Sequence, residues 1–393
     1  MKPKLPSGVK LITKRLEECG KNAHIVGGCV RDFLLSKKPY DYDITTDALP
    51  EEMKSIFSDM KTVETGIKHG TLTVICDGVP YEVTTYRVDG EYEDHRHPKS
   101  VVFTDSLLGD LSRRDFTMNA ICYSERDGFV DMFSGIEDIN RGIIRAVGEP
   151  SVRFEEDALR ILRAIRFASV LGFEIEADTA RSAIDKSPLL ASVSSERIYT
   201  EWKKLLMGDF AYNVISKYED IISVFLFSEP IKLPEKSAFE SASPEARQLS
   251  LFALSLKNPA ERFEEFCERM KTDSKTKRLG TLALLNISCD AFSEKSVRLL
   301  LIKLGLDVTR LTLEIKTLLG EENIPTNDEI ERIYGSGYPF SLSALKVGGE
   351  DMKALGFSGK EIGNSLERLL EMTATDEVKN EREALLLAAR NFK

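Results

Sequence analysis

Ala23-His24-Ile25-Val26-Gly27-Gly28-Cys29-Val30-Arg31-Asp32 and, shortly after it, Asp41-Tyr42-Asp43-Ile44-Thr45 are the stretches whose reading decides the fold of the first half of the chain. Residues 23–26 read as a short strand that runs into a Gly-Gly turn and then a helix carrying Arg31. Glycines let backbone N–H groups approach a phosphate, a helix start favours anions, and Arg31 adds charge. An ordinary strand–turn–helix would look the same. In the second stretch, residues two apart on a strand point the same way, so Asp41 and Asp43 would share one face. Paired carboxylates suit Mg²⁺, and two ions ~3.5–4 Å apart can serve an in-line phosphoryl transfer. A solvated Asp-x-Asp loop is the bland alternative.

Working outward, residues 71–76, 81–86 and 101–103 are further strand candidates, rich in β-branched and aromatic residues. On residues 81–86, Glu82 shares a face with Thr84 and Tyr86. If that strand neighbours the Asp41–Asp43 strand, Glu82 becomes a third acidic ligand or a base, and otherwise an exposed edge residue. Residues 87–99 are dense in charge, contain Gly90 and Pro98, and read as a mobile loop. Leu111-Ser112-Arg113-Arg114-Asp115-Phe116-Thr117-Met118-Asn119-Ala120 offers an arginine phosphate clamp beside groups that hydrogen-bond hydroxyls. Residues 155–171 read as one helix on which Asp157 and Arg160 share a face and Arg163 and Arg166 extend a basic stripe.

From residue 155 the pattern stays helical, with good examples at 197–207, 247–256, 260–270 and 296–304, and no convincing strand follows residue 147. The reading is α+β: a mixed α/β head of roughly 150 residues, then a long all-helical region. The chain has 393 residues and a net charge of −10, which argues mildly against nucleic acid but leaves room for a local basic groove. The six cysteines show no paired or metal-like spacing and read as reduced thiols. No run of 18 apolar residues appears and the start lacks a signal-peptide core. A cytoplasmic, non-membrane protein with no implied protein partner is expected.

The ordered set GGxVRD, DxD, RRDFTxNA and EDxxRxxRxxRF, with Glu196-Arg197-Ile198-Tyr199-Thr200-Glu201 after it, resembles the class II tRNA nucleotidyltransferases and the related bacterial poly(A) polymerases. The resemblance covers residues 20–210. Weaker echoes of the family's tail occur at Gly348-Gly349-Glu350-Asp351 and at Gly356-Phe357-Ser358-Gly359-Lys360-Glu361-Ile362-Gly363. It implies a nucleotidyltransferase head over residues 1–150, a base-selecting neck over 151–213, a body over 214–320 and a tRNA-binding tail over 321–393. It implies tRNA, CTP and ATP as partners and Mg²⁺ as cofactor. Gly28 and Arg31 would then hold the triphosphate, Asp41 and Asp43 the metals, and Arg114, Asp115 and Asn119 phosphate and ribose. Asp157 and Arg160 would select the base, flanked by Arg163 and Arg166.

Such a pair can select without a template. Cytosine and adenine both present an amino donor beside a ring-nitrogen acceptor, whereas uracil and guanine reverse that order. One Asp acceptor and one Arg donor therefore satisfy C and A and reject U and G. The favoured expectation is full CCA addition. Alternatives are A-only or CC-only addition, a poly(A) polymerase, a small-molecule nucleotidyltransferase, and a non-catalytic RNA-binding module. All four histidines (His24, His69, His95, His97) precede residue 100, so the helical half cannot build the histidine-rich phosphohydrolase site of some relatives. CC-only enzymes typically lack the loop that residues 87–106 supply here. Deleting residues 91–98 is expected to spare CTP addition and to reduce terminal ATP addition. Product lengths on tRNA transcripts check this, and an equal fall in both steps would make the loop purely structural.

Overall fold

The computed structural model describes residues 3–89 and 101–392. The chain divides into two compact units, Met1–Phe227 and Ser228–Lys393. In the first, α1 (Ser7–Glu18) buries Val9, Ile12 and Leu16, a helical spacing that puts one apolar stripe onto the sheet. Next come β1 (Ala23–Val26), α2 (Gly28–Leu34), β2 (Asp43–Thr46), α3 (Pro50–Ile56), β3 (Lys61–Val63), β4 (Thr71–Cys76) and β5 (Val79–Thr85). A short ribbon, β6 (Arg87–Asp89) with β7 (Val101–Phe103), leads to α4 (Leu107–Ser112). The hairpin β8 (Ile121–Ser124) and β9 (Gly128–Asp131) completes the main sheet, whose order is β3-β4-β5-β2-β1-β8-β9.

In β4 and β5 the side chains alternate as the pleat demands: Leu72, Val74, Cys76, Tyr81, Val83 and Thr85 are buried, while Glu82 between them is exposed. Strand β2 lies at the centre, antiparallel to β1 and parallel to β5, with Val26 opposite Asp43 and Asp43 opposite Glu82. Glu82 is therefore on an interior strand and not at an edge, with its side chain exposed. Residues 90–100, the centre of the expected loop, lie outside the described residues, and its first residues are the strand β6 rather than loop.

Helix α5 (Gly135–Arg141) and β10 (Ile143–Ile144) lead into α6 (Pro150–Glu156), α7 (Leu159–Leu171), β11 (Glu174–Ile175), α8 (Ala177–Asp185) and α9 (Ser195–Leu206). The expectation of one helix over 155–171 needs correction, because the chain breaks at Asp157. Asp157 is extended, and its carboxylate accepts the Leu159 amide at 3.1 Å, taking the role that a helical carbonyl would have filled. The two-residue strand β11, parallel to β10, is also a strand beyond residue 147 where none was expected. Helices α10 (Ala211–Lys217) and α11 (Glu219–Ser223) end this unit.

The second unit is helical among its described residues: α12 (Lys236–Ser241), α13 (Pro244–Ser255), α14 (Pro259–Met270), α15 (Ser274–Leu285), α16 (Glu294–Leu304), α17 (Leu306–Leu318), α18 (Asn327–Tyr334), α19 (Gly349–Ala354), α20 (Lys360–Ala374) and α21 (Arg382–Arg390). Phe252, Phe263 and Phe266 pack edge-on and stacked between α13 and α14. A separate core forms around Met352, Leu369, Leu370 and Leu385. No helix among the described residues is long and apolar enough to cross a membrane.

Helices α7 and α9 pack closely because Gly208 follows α9 directly against Ser169, whose hydroxyl donates to the Leu205 carbonyl at 2.6 Å. A Cβ at 208 would fall on the Ser169 hydroxyl and carbonyl. Gly208→Ala is expected to destabilise by about 1–3 kcal/mol through overpacking, read as a lower thermal midpoint with secondary structure intact. An unchanged midpoint would show that the α7–α9 contact yields easily.

Candidate active site

The turn between β1 and α2 is built on Gly27, at φ +80° and ψ −132°, backbone that only glycine adopts readily. A Cβ there would also meet Arg114 Nη1 at 3.3 Å. The sequence reading named Gly28, which is the first residue of α2 with ordinary room around it; Gly27 is the position that cannot change. The positive φ could not be told from two adjacent glycines. Because α2 begins at residue 28, its first amides have no intrahelical acceptor.

Asp41 precedes β2 and Asp43 begins it, so the pair straddles the strand's start instead of lying within it. Asp43 is exposed to solvent yet hemmed in by protein, as a residue on the floor of a cleft would be. That crowding, and then the charges of Asp41 and Glu82, push its carboxyl up to about 6, with Arg114 opposing. Excess negative charge is thus gathered where β2 and β5 run side by side. No three acidic, histidine or cysteine side chains among the described residues converge into a closed metal cage. An open carboxylate set fits a hard divalent cation that keeps several waters and takes further oxygens from a triphosphate.

Arg114 is held by Asp110, which is fully buried on α4 and also takes Arg113, the Thr45 hydroxyl on β2 and the Arg87 amide. Burial works against the Asp110 charge, but Arg113 and Arg114 keep its carboxyl below the usual range. Sequence reading passed over Asp110, although its i, i+3 and i, i+4 spacing to the two arginines was a usable signal. Asp115 is buried as well. Its carboxylate accepts Arg163 Nε at 2.7 Å, Asn119 Nδ2 at 3.1 Å and the Phe116 amide at 2.8 Å. Although burial opposes it, Arg163 above all pushes the Asp115 carboxyl down to about 2.

Asn119 passes the connection on, accepting Arg31 Nη1 at 2.8 Å. The guanidinium groups of Arg31, Arg163 and Arg166 all face the ring of Phe167 on α7, within 3.6–5.5 Å of its centroid. Glu201 of α9, buried, accepts Arg166 Nε at 2.9 Å. The structure therefore brings Arg31, Asn119, Asp115, Arg163 and Arg166 into one network.

Asp157 and Arg160 are arranged differently from the expectation. Asp157, at the helix break, accepts Arg197 Nη2 of α9 at 2.8 Å. Arg160 is buried and donates to the carbonyls of Arg153 and Arg113 and to Glu156. They flank the break and do not pair on one helical face. The turn-forming tendency of aspartate was the signal that sequence reading underused.

Residues 23–145 match the family described as the poly A polymerase head domain, and residues 172–220 the family described as the probable RNA and SrmB-binding site of polymerase A. A CCA-adding enzyme of Pediococcus pentosaceus is 35% identical over 98% of this chain and 97% of its own. The chain belongs to the CCA-adding enzyme family. The CCA-adding enzyme of Geobacillus thermodenitrificans is 51% identical over 54% of this chain, a match that spans about half (52%) of that relative. The crystal structure of the Bacillus stearothermophilus CCA-adding enzyme in complex with CTP has a TM-score of 0.82 at 30% identity, covering 100% of this chain and 98% of that one. The mixed α/β head followed by helices is thus the fold of CCA-adding enzymes.

Because Gly27 combines positive φ with contact to Arg114, Gly27→Ala is expected to raise the KM for CTP at least tenfold while the protein remains folded. Steady-state kinetics with circular dichroism check this, and wild-type kinetics would remove the turn from the nucleotide site.

Proposed function

We propose that this tRNA nucleotidyltransferase adds CCA to the 3′ end of tRNA from CTP and ATP, without a nucleic-acid template and with release of pyrophosphate. The observation that carries the reading is the register of β2 with β5, which sets Asp43 beside Glu82 at the strand following the Gly27 turn. The names of its relatives supply the sequence that is added, CCA, and a solved CCA-adding enzyme from Thermotoga maritima, complexed with tRNA, suggests the acceptor.

Asp41 and Asp43 are the metal ligands, and Mg²⁺ is the ion that suits them. When bound, it supplies charge neutralisation at the attacking hydroxyl and the triphosphate. Glu82 adds a third carboxylate or accepts the hydroxyl proton. Gly28, Arg31 and Arg114 hold the triphosphate, and Asp115 and Asn119 hold ribose while fixing Arg163 and Arg31. Asp157 and Arg160, on either side of the helix break, offer the acceptor and donor that select C and A, with Arg163 and Arg166 flanking the base. Residues 1–150 act as the catalytic head, 151–213 as the base-selecting neck, 214–320 as the body and 321–393 as the tRNA-binding tail. The site of action is the cytoplasm.

Asp41→Ala and Asp43→Ala are each expected to abolish nucleotide addition with folding retained. The check is product analysis on tRNA transcripts lacking CCA, with CTP and ATP supplied singly and together. Wild-type protein adding only C or only A would replace this reading by a partial enzyme. Either variant within tenfold of wild type would remove that aspartate from the metal site.

A further inference from the structure

We propose that the exposed segment Lys37-Lys38-Pro39-Tyr40 is a landing strip for the acceptor RNA, the last base of the growing strand stacking on the Tyr40 ring. The inference rests on the proposed function and adds to it the residues that hold the second substrate.

Tyr40 is 99% exposed, whereas the next most exposed aromatic residue described, Phe292, is at 61%. A tyrosine so bare contributes nothing to the core, and it immediately precedes Asp41. Its presentation is built in. Helix α2 ends with the Lys37 amide bonded to the Asp32 carbonyl at 2.8 Å and the Ser36 amide to the Phe33 carbonyl at 2.9 Å. Ser36 holds the left-handed conformation, φ +57°, that such an ending requires. Pro39 then restricts the return to β2, so the strip is held by its own backbone.

Charge points the same way. Asp41, Asp43 and Glu82 would repel an incoming phosphate backbone. Lys37 and Lys38 are exposed and form no ion pair among the described residues, so two free ammonium groups lie four and three residues ahead of Asp41. Lysines next to a bare aromatic ring are the elements of single-strand binding, in which the backbone meets charge and a base meets a ring.

Stacking also suits the task better than hydrogen-bond readout. The terminal base of the acceptor changes at each addition, and a ring accepts every base because each has a π-face. A tyrosine also gives this contact while fixing only two side-chain torsions.

The test uses the full chain with Tyr40→Ala, Tyr40→Phe and Tyr40→Trp. Tyr40→Ala is expected to raise the KM for tRNA lacking CCA on the order of tenfold, with the KM for CTP and the melting temperature unchanged. Phe and Trp should restore the tRNA KM. The double variant Lys37→Ala/Lys38→Ala should make the salt dependence of tRNA binding shallower by roughly 0.7 in log–log slope for each phosphate that is no longer neutralised. Since the native Trp202 is buried, the Tyr40→Trp emission can be read against it, and tRNA should quench it. An unchanged tRNA KM in Tyr40→Ala overturns the proposal, and so does a rise confined to the CTP KM, which would assign the ring to the incoming base. Wild-type protein that fails to extend tRNA would overturn the proposed function itself, so the two failures are distinguishable.

Discussion

The carboxylate of Asp115 meets Arg163 where the sheet-bearing part of the first unit turns into its helices. Asp115 is drawn from water while Arg163 is half-buried, and the buried carboxylate is tolerable because its remaining lone pairs are filled by the Phe116 amide and by Asn119. Removing Arg163 would strand the buried Asp115 carboxylate, at a cost of about 3 kcal/mol. What makes this pair central is its reach. Asn119 hands the connection to Arg31 on α2, and Arg163 stands beside Arg166, which Glu201 secures from α9. The phosphate side and the base side of the proposed site are consequently set by the same few atoms.

The ring of Phe167 gives this network its geometry. Three guanidinium groups that would otherwise repel each other lie around one aromatic ring, with Asp32, Asp115 and Glu201 dividing their charge. The arrangement concentrates cation density in a chain whose net charge is −10. The overall charge was therefore a poor guide to function, as local fields decide what a cleft attracts.

Elements whose identity depends on local pattern were legible in the sequence. The β-branched content of residues 71–76 placed β4 at its observed bounds, and the short stretch before Gly27 placed β1. Three features were missed, each for a different reason. The break at Asp157 turns on one side-chain hydrogen bond within a run of good helix formers. Asp110 acts through burial, and its spacing to Arg113 and Arg114 signals the ion pairs but not that they lie in the core. The hairpin β8–β9 carries the turn dipeptide Asp127-Gly128, with Gly128 at φ +70°, but its strands are only four residues each, too short for a pattern of their own. For the site, the motifs named residues that the structure joins in one network, but Asp157 pairs with α9 and Arg160 reaches the Arg113 carbonyl as well as Glu156 on α6, contacts of which only the last follows from helical spacing.

The parallel pairing of β2 with β5 bears on how the protein is made. Antiparallel neighbours can zip from a hairpin, but Asp43 and Glu82 become neighbours only after α3, β3 and β4 have closed a long crossover between their strands. Non-local pairings of this kind form late, since the entropy of loop closure is spent before the contacts reward it. A chain emerging from the ribosome therefore carries Asp41 and Asp43 well before it has the acidic cleft. Until β5 has been synthesised and docked, a half-made copy lacks the third carboxylate beside them.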